Sequence, residues 1–240
     1  MAYQFQFEPV WAHAGLLAEG ALMTIELSAG AIFFGTAIGI ATSAVRWANG
    51  GRIRSFIDAY VEVVRNTPFL VQLFILFFGL PAMHLRVSAT EAALIGMIIN
   101  LGAYSTEIIR AGIDSIHRSQ VEAGASLGMT PLQIFRHIVI KPAIAKVYPA
   151  LCSQFVLMML ASSVTSAIST QELSSIAAHI DSETYRSFEV YILVTVMYLG
   201  LALLFKGVLA LVGNFIFARR RTSPGIANSG TPVGIKEVTP

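Results

Sequence analysis

The stretch Glu122-Ala123-Gly124-Ala125-Ser126-Leu127-Gly128, with the basic amphipathic run that follows it to Lys141-Pro142, decides how the whole chain is read. It lies in a polar island, residues 114–141, set between apolar segments long enough to cross a bilayer. An island placed there is either a docking surface for a partner or an amphipathic loop lying on lipid. Residues 120–127 favour a short helix, which Gly128 ends by permitting a left-handed turn. Thr130 is placed to cap a second helix with Pro131 in its first position. That helix, residues 131–140, is expected to bury Leu132, Phe135, Ile138 and Val139 and to expose Gln133, Arg136 and His137. Two short helices joined at a glycine make a compact knob. Its small residues Ala123, Gly124, Ala125 and Ser126 suit it to a deep groove, and Glu122 is free to pair with a basic partner or to brace the helix start.

The rest of the chain is membrane-like. Of 240 residues, 55% are hydrophobic and 12% charged, against about 25% charged in soluble domains; the mean hydropathy is +0.69. Spans are expected at roughly residues 20–45, 56–80, 89–109, 145–164 and 188–217, giving an all-α integral membrane protein with about five transmembrane helices. Residues 1–19 mix Phe5, Phe7 and Trp11 with Glu8, His13 and Glu19 and read as an interfacial segment. They do not read as a cleaved signal peptide. The membrane-spanning body is placed at residues 20–221. Residues 222–240 are rich in Pro, Gly, Ser and Thr, which predicts a disordered tail. Pro68 is expected to kink the second span.

Charge orients the chain. Arg46, Arg52, Arg54, Arg110, Arg118, Arg136, Lys141, Lys146 and the cluster Arg219, Arg220 and Arg221 fall on one side; Arg86 and Arg186 fall on the other. Positive residues collect in the cytoplasm, so the N-terminus is expected outside and the island and C-terminus inside. The single Cys152 permits no internal disulfide. The chain has no phosphate-binding glycine loop ending in Gly-Lys-Ser/Thr, no metal-ligand spacing and no nucleophile elbow, so no catalytic residue and no metal ligand is expected.

The island resembles the EAA loop of ATP-binding-cassette importer permeases, the loop that receives the ATPase. The family pattern runs Glu-Ala-Ala, three residues, Gly, nine residues, Ile, one residue, Leu-Pro. Glu122, Ala123, Gly128, Ile138 and Ile140 sit at matching offsets, while Gly124 replaces the second Ala and Pro142 falls one place late. The segment from Tyr60 through Pro68 to Gln72 resembles the second-span signature of polar amino acid permeases, and that from Gly102 through Tyr104, Glu107 and Arg110 to Gly112 resembles their third-span exit signature. The resemblance covers residues 20–221. It implies a type I importer-like fold in a bacterial-type cytoplasmic (inner) membrane. It also implies a binding-protein-dependent importer of polar amino acids or close analogues. The expected partners are an ABC ATPase dimer, a second permease chain (identical or homologous), a soluble substrate-binding protein, the amino acid and membrane lipid; no nucleic acid is expected. ATP and Mg would belong to the ATPase, with no cofactor in this chain. The coupling residues it implies are Glu122, Ala123, Gly124, Ser126 and Gly128. The rival reading is an ATPase-independent secondary transporter or channel, which predicts an inverted repeat or broken-helix pairs, and neither is seen in the sequence.

Polar side chains inside spans face cavities or partners. Gln72, Asn100, Leu101, Gln154, Leu157 and Met158 are the candidate substrate pathway. In resembling permeases the position of Gln154 is an acidic substrate contact; here Ser153-Gln154 stands for Asn-Glu, residues 160–163 replace a Lys-Asp-Thr-Ser stretch, and Leu101 stands where a small polar residue is common. Gln154 either hydrogen-bonds substrate or makes an interhelical amide bond. Glu62 with Arg65, and Glu107 with Arg110, are spaced to pair along one helix face, as structural bridges or as gating groups. The acidic trio Glu172, Asp181 and Glu183 either meets basic residues of the binding protein or is solvated loop charge.

Overall fold

The computed structural model describes residues 3–48 and 50–217; the expected tail and the Arg219, Arg220 and Arg221 cluster lie outside the described residues. A short helix α1 (Glu8–Trp11) leads into α2 (Ala14–Ala48), which starts inside the segment read as interfacial. Then come α3 (Gly51–Arg65), α4 (Phe69–Ala82) and α5 (Ala89–Asp114), whose Ser88 and Glu91 form a reciprocal capping box. The island holds α6 (Arg118–Ser126) and α7 (Pro131–Ile134). It runs through a π turn (Phe135–Val139) into α8 (Ile140–Ala161) and a 3₁₀ segment (Ser162–Ile168). Helices α9 (Leu173–Thr184) and α10 (Ser187–Phe217) complete the described chain. Among the described residues four helical stretches are long and apolar enough to cross a membrane, and α3 with α4 makes a fifth if the bent pair is one span.

Helix α5 is the central post. Gly35 and Gly39 of α2 lie one turn apart and let α2 press against it: a Cβ at either would stand 3.0 Å from Leu101 Cβ or 2.5 Å from Ser105 Cβ. The two helices are also joined through Thr42 and Thr106, whose hydroxyls are 2.6 Å apart. On its other flank α5 meets α8 at Gly112, which lies against the Ala143 carbonyl. Leu73, Met97, Leu101, Ile109, Phe155 and Met158 fill the core among these helices. Helix α10 touches α9 and, through the Tyr148 hydroxyl donating 2.6 Å to the Leu209 carbonyl, α8. Most of its apolar surface is uncovered by this chain, as a face meeting lipid or another subunit requires.

Several sequence expectations are revised. The second span is not merely kinked: α3 and α4 meet at 105°. Glu62 and Arg65 do not pair. Glu62 accepts from Asn66 Nδ2 at 3.1 Å, while Arg65 crosses to Glu107 at 3.7 Å and lies over the Tyr104 ring. Glu172 is not solvated loop charge. It is fully buried at the N-cap of α9, accepting from Ser175 N–H at 2.9 Å and from the Tyr198 hydroxyl at 2.6 Å. Burial pushes its carboxyl above the ordinary range, and the N–H and hydroxyl donors pull it part of the way back. Residues 3–7 pack on the start of α10: Tyr3 and the Gln6 N–H both donate to buried Glu189, and the Phe5 ring lies tilted against that of Phe188.

Candidate functional site: the loop between α5 and α8

Helix α6 begins at His117, whose Nδ1 accepts from Ser119 N–H, and ends in a Schellman turn. Gly128 N–H donates to the Ala125 carbonyl at 3.0 Å and Met129 N–H to the Gly124 carbonyl at 3.2 Å. Gly128 takes φ +73, a left-handed conformation that glycine adopts without Cβ strain. Thr130 and Gln133 then form a capping box, with Pro131 in the first turn of α7. The chain passes into α8 through the π turn, in which Ile140 N–H reaches the Phe135 carbonyl five residues back. Pro142, displaced by one place from the family pattern, sits just beyond that turn.

The two helices fold on a core of Ile134, Phe135 and Val139, against which Trp47 packs its ring 5.2 Å from that of Phe135. Expectation and structure differ at one residue: Leu132 is 73% exposed and Ile134 takes the buried place. Gly124 faces inward, where a Cβ would come within 2.5 Å of Ile138 Cδ1. A methyl group at residue 124 would need the tip of the Ile138 side chain to move aside. Glu122, Ala123, Ser126 and Leu127 face outward, and among the described residues Glu122 pairs with Arg118 one turn back at 3.1 Å. An exposed pair of that kind contributes under about 1 kcal/mol, so Glu122 remains available to a partner.

Beside the loop, the ends of α2, α3 and α5 enclose a cavity of about 380 Å³ lined by Arg46, Asp58, Glu62, Arg65, Glu107 and Arg110. Arg46 reaches Asp58 at 2.7 Å; Arg110 donates to Glu107 and, at 2.9 Å, to Asp114. The Glu107–Arg110 pair expected from spacing is therefore present, and Arg65 extends it between helices.

The candidate pathway residues divide. Gln72 and Asn100 are brought together, with Asn100 Nδ2 donating to Gln72 Oε1 at 3.0 Å. Leu101 and Met158 are fully buried in the core. Gln154 is half-buried and Leu157 is 57% exposed on α8. Trp47, Thr24 and Tyr198 were not singled out by sequence, because their partners lie far along the chain. Among the described residues no three His, Cys, Asp or Glu side chains converge to hold a metal ion.

Comparison with known proteins follows the same lines. The profile of the family described as "Binding-protein-dependent transport system inner membrane component" matches residues 27–219. The glutamine transport system permease protein GlnP of Escherichia coli (strain K12) is 31% identical over 208 residues, 86% of this chain and 95% of that protein. The octopine transport system permease protein OccM of Rhizobium meliloti is 31% identical over 226 residues, 90% of this chain and 92% of that one. A crystal structure of an amino acid ABC transporter with histidines superposes with TM-score 0.80 at 33% identity, covering 89% of this chain and all of that one. The inward-facing MetNI methionine ABC transporter superposes with TM-score 0.74 at 18% identity, covering 85% of this chain and 98% of that one, a likeness of fold.

Proposed function

The chain belongs to the family of binding-protein-dependent transport system inner membrane components, and from that membership we infer that this permease subunit imports a polar amino acid or close analogue with an ATPase pair and a second permease chain. The observation that carries the reading is the α6–α7 knob: a Schellman turn at Gly128 and an outward face of Glu122, Ala123, Ser126 and Leu127. Relatives of glutamine, octopine and amino acid systems support the substrate class. The chain does no covalent chemistry in this account. A partner ATPase closes on ATP and pushes the knob. The helices rock so that the pathway opens outward to a substrate-loaded binding protein, and hydrolysis returns it inward.

In this account the island and the C-terminus face the cytoplasm, and α9 faces outward. With Cys152 replaced by Ala, a Ser182→Cys variant should react with an impermeant thiol reagent from outside intact cells, and Ser119→Cys should not. The opposite pattern overturns the orientation.

Gln154 and Leu157 on α8 are the pathway residues of this proposal. Gln154→Leu removes an amide and should weaken substrate binding at the membrane site by about 1–3 kcal/mol. Gln154→Glu should shift preference toward cationic amino acids, because a carboxylate forms charge-assisted bonds that an amide does not. Competitive uptake of neutral, acidic and basic amino acids by cells carrying each variant tests both levels of the claim. Wild-type cells that accumulate none of them contradict the function. Unchanged profiles in both variants, at normal protein abundance, remove Gln154 from the pathway.

A further inference from the structure

The 105° break between α3 and α4 is held by side chains. Pro68 has no N–H, so in a continuous helix the Val64 carbonyl would lose its donor, and the last carbonyls of α3 are left without helical partners. Three of the carbonyls in the last turn nevertheless find donors. The Glu62 carbonyl accepts from Asn66 N–H at 3.1 Å and from Asn66 Nδ2 at 2.9 Å. The Val63 carbonyl accepts from the Thr67 hydroxyl at 2.8 Å. The Val64 carbonyl accepts from Gln72 Nε2 at 2.7 Å, reached from the first turn of α4. The same Nε2 lies 2.8 Å from Thr67 Oγ1 and 3.1 Å from the Thr67 carbonyl. Gln72 therefore closes the elbow across both of its arms.

Its remaining oxygen is held by α5. Asn100 is 6% exposed and donates from Nδ2 to Gln72 Oε1 at 3.0 Å. One residue earlier, the Ile99 carbonyl accepts from the Tyr60 hydroxyl of α3 at 2.7 Å. Helix α5 thus grips α3 through Tyr60 and α4 through Gln72 at adjacent positions. At its C-terminal end, about four turns beyond Asn100, α5 turns through Ser115 and Ile116 into α6, and Ile113 and Ile116 pack against the knob's core. A continuous line of packed and bonded groups joins the knob to the elbow.

We propose that the Gln72–Asn100 bond is the clasp through which α5 carries movement of the 114–141 loop to the α3–α4 elbow, which makes both residues positioning residues for transport and not contacts for the substrate. The proposal rests on the importer reading, but part of its test does not need a transported substrate. Gln72→Met and Asn100→Leu keep side-chain length and remove the bond. In proteoliposomes of the assembled complex, each is expected to leave assembly at the wild-type level and ATPase turnover within about twofold. The maximal rate of amino acid uptake should fall about tenfold, with half-saturation and the competitor profile unchanged. The double variant should be no worse than Gln72→Met alone, because Gln72→Met already loses the bond to Asn100 along with those to Val64 and Thr67. Spin labels at exposed Ile75 on α4 and Leu199 on α10 supply the second readout. The distance change on trapping ATP in the wild-type complex should be lost in Asn100→Leu, even if the transported amino acid has been misassigned. A raised half-saturation or altered competitor profile at a retained maximal rate assigns the pair to the substrate and overturns the proposal. Uptake and ATPase falling together with assembly, or an unaltered label distance change in Asn100→Leu, overturns it as well.

Discussion

Gly39→Val is expected to keep the folded permease from accumulating in the membrane. A Cβ at residue 39 would stand 2.5 Å from Ser105 Cβ and 3.0 Å from the Ser105 carbonyl carbon, where carbon atoms pack at about 3.5–4.0 Å. Ser105 is fully buried on α5, so neither the backbone nor the short side chain has room to withdraw. Valine in a helix is also nearly fixed at χ1 and cannot turn its methyl groups away. The helices would have to separate along their most extensive contact, breaking the Thr42–Thr106 hydroxyl pair on the way. Overpacking of this kind costs about 3 kcal/mol, a large share of the roughly 5–15 kcal/mol by which proteins stay folded. Membrane abundance and the thermal midpoint in detergent are the readouts. Gly200→Val, where a new Cβ meets nothing within 4 Å, should match the wild type. A wild-type midpoint for Gly39→Val would mean that α2 does not press on α5 as described.

Gly128→Val is expected to leave a folded permease that no longer transports. A Cβ at residue 128 meets nothing within 4 Å, so the change adds no clash; its effect comes from φ +73. A β-branched residue there costs about 1–2 kcal/mol. The loop escapes that strain by giving up its Schellman bonds, which moves the outward face of α6 relative to α7. A misplacement worth about 1.4 kcal/mol is a factor of ten in an equilibrium, so ATP-driven uptake should fall about tenfold or more while membrane abundance stays normal. Asparagine adopts the left-handed conformation more readily than other non-glycine residues. Gly128→Asn should therefore retain most of the uptake and Gly128→Ala fall between. Equal uptake in all three would remove the turn from the coupling mechanism.

Much of this architecture was legible in the sequence, because its signals are local. Apolar length marks the spans, and Thr130, Pro131 and Gly128 mark the two loop helices through capping and turn chemistry that depends on immediate neighbours. Leu132 was misplaced because it sits about a quarter turn off the stripe formed by Ile134, Phe135, Ile138 and Val139. Pro68 announced a break in the second span but not its angle, which depends on Gln72 reaching back eight residues and on Asn100 of another helix. Glu172 was read with Asp181 and Glu183 as loop charge, solvated or facing the binding protein, and it is buried because Thr24 and Tyr198 approach it from α2 and α10. Contacts between distant positions leave no period or spacing to read. Gln72 and Asn100 were read as polar groups in spans that face a cavity or a partner, and as candidate pathway residues. That they serve each other is visible only in three dimensions.

The central claim is that this chain moves its substrate only when a partner ATPase acts on the α6–α7 knob. The most direct measurement is uptake of labelled amino acids into proteoliposomes holding the purified complex, with ATP enclosed on the side of the knob and the binding protein added on the side of α9. The account predicts accumulation of at least one polar amino acid that requires both ATP and the binding protein and is lost in Gly128→Val. Uptake that proceeds without ATP, or that follows an imposed ion gradient, would contradict it.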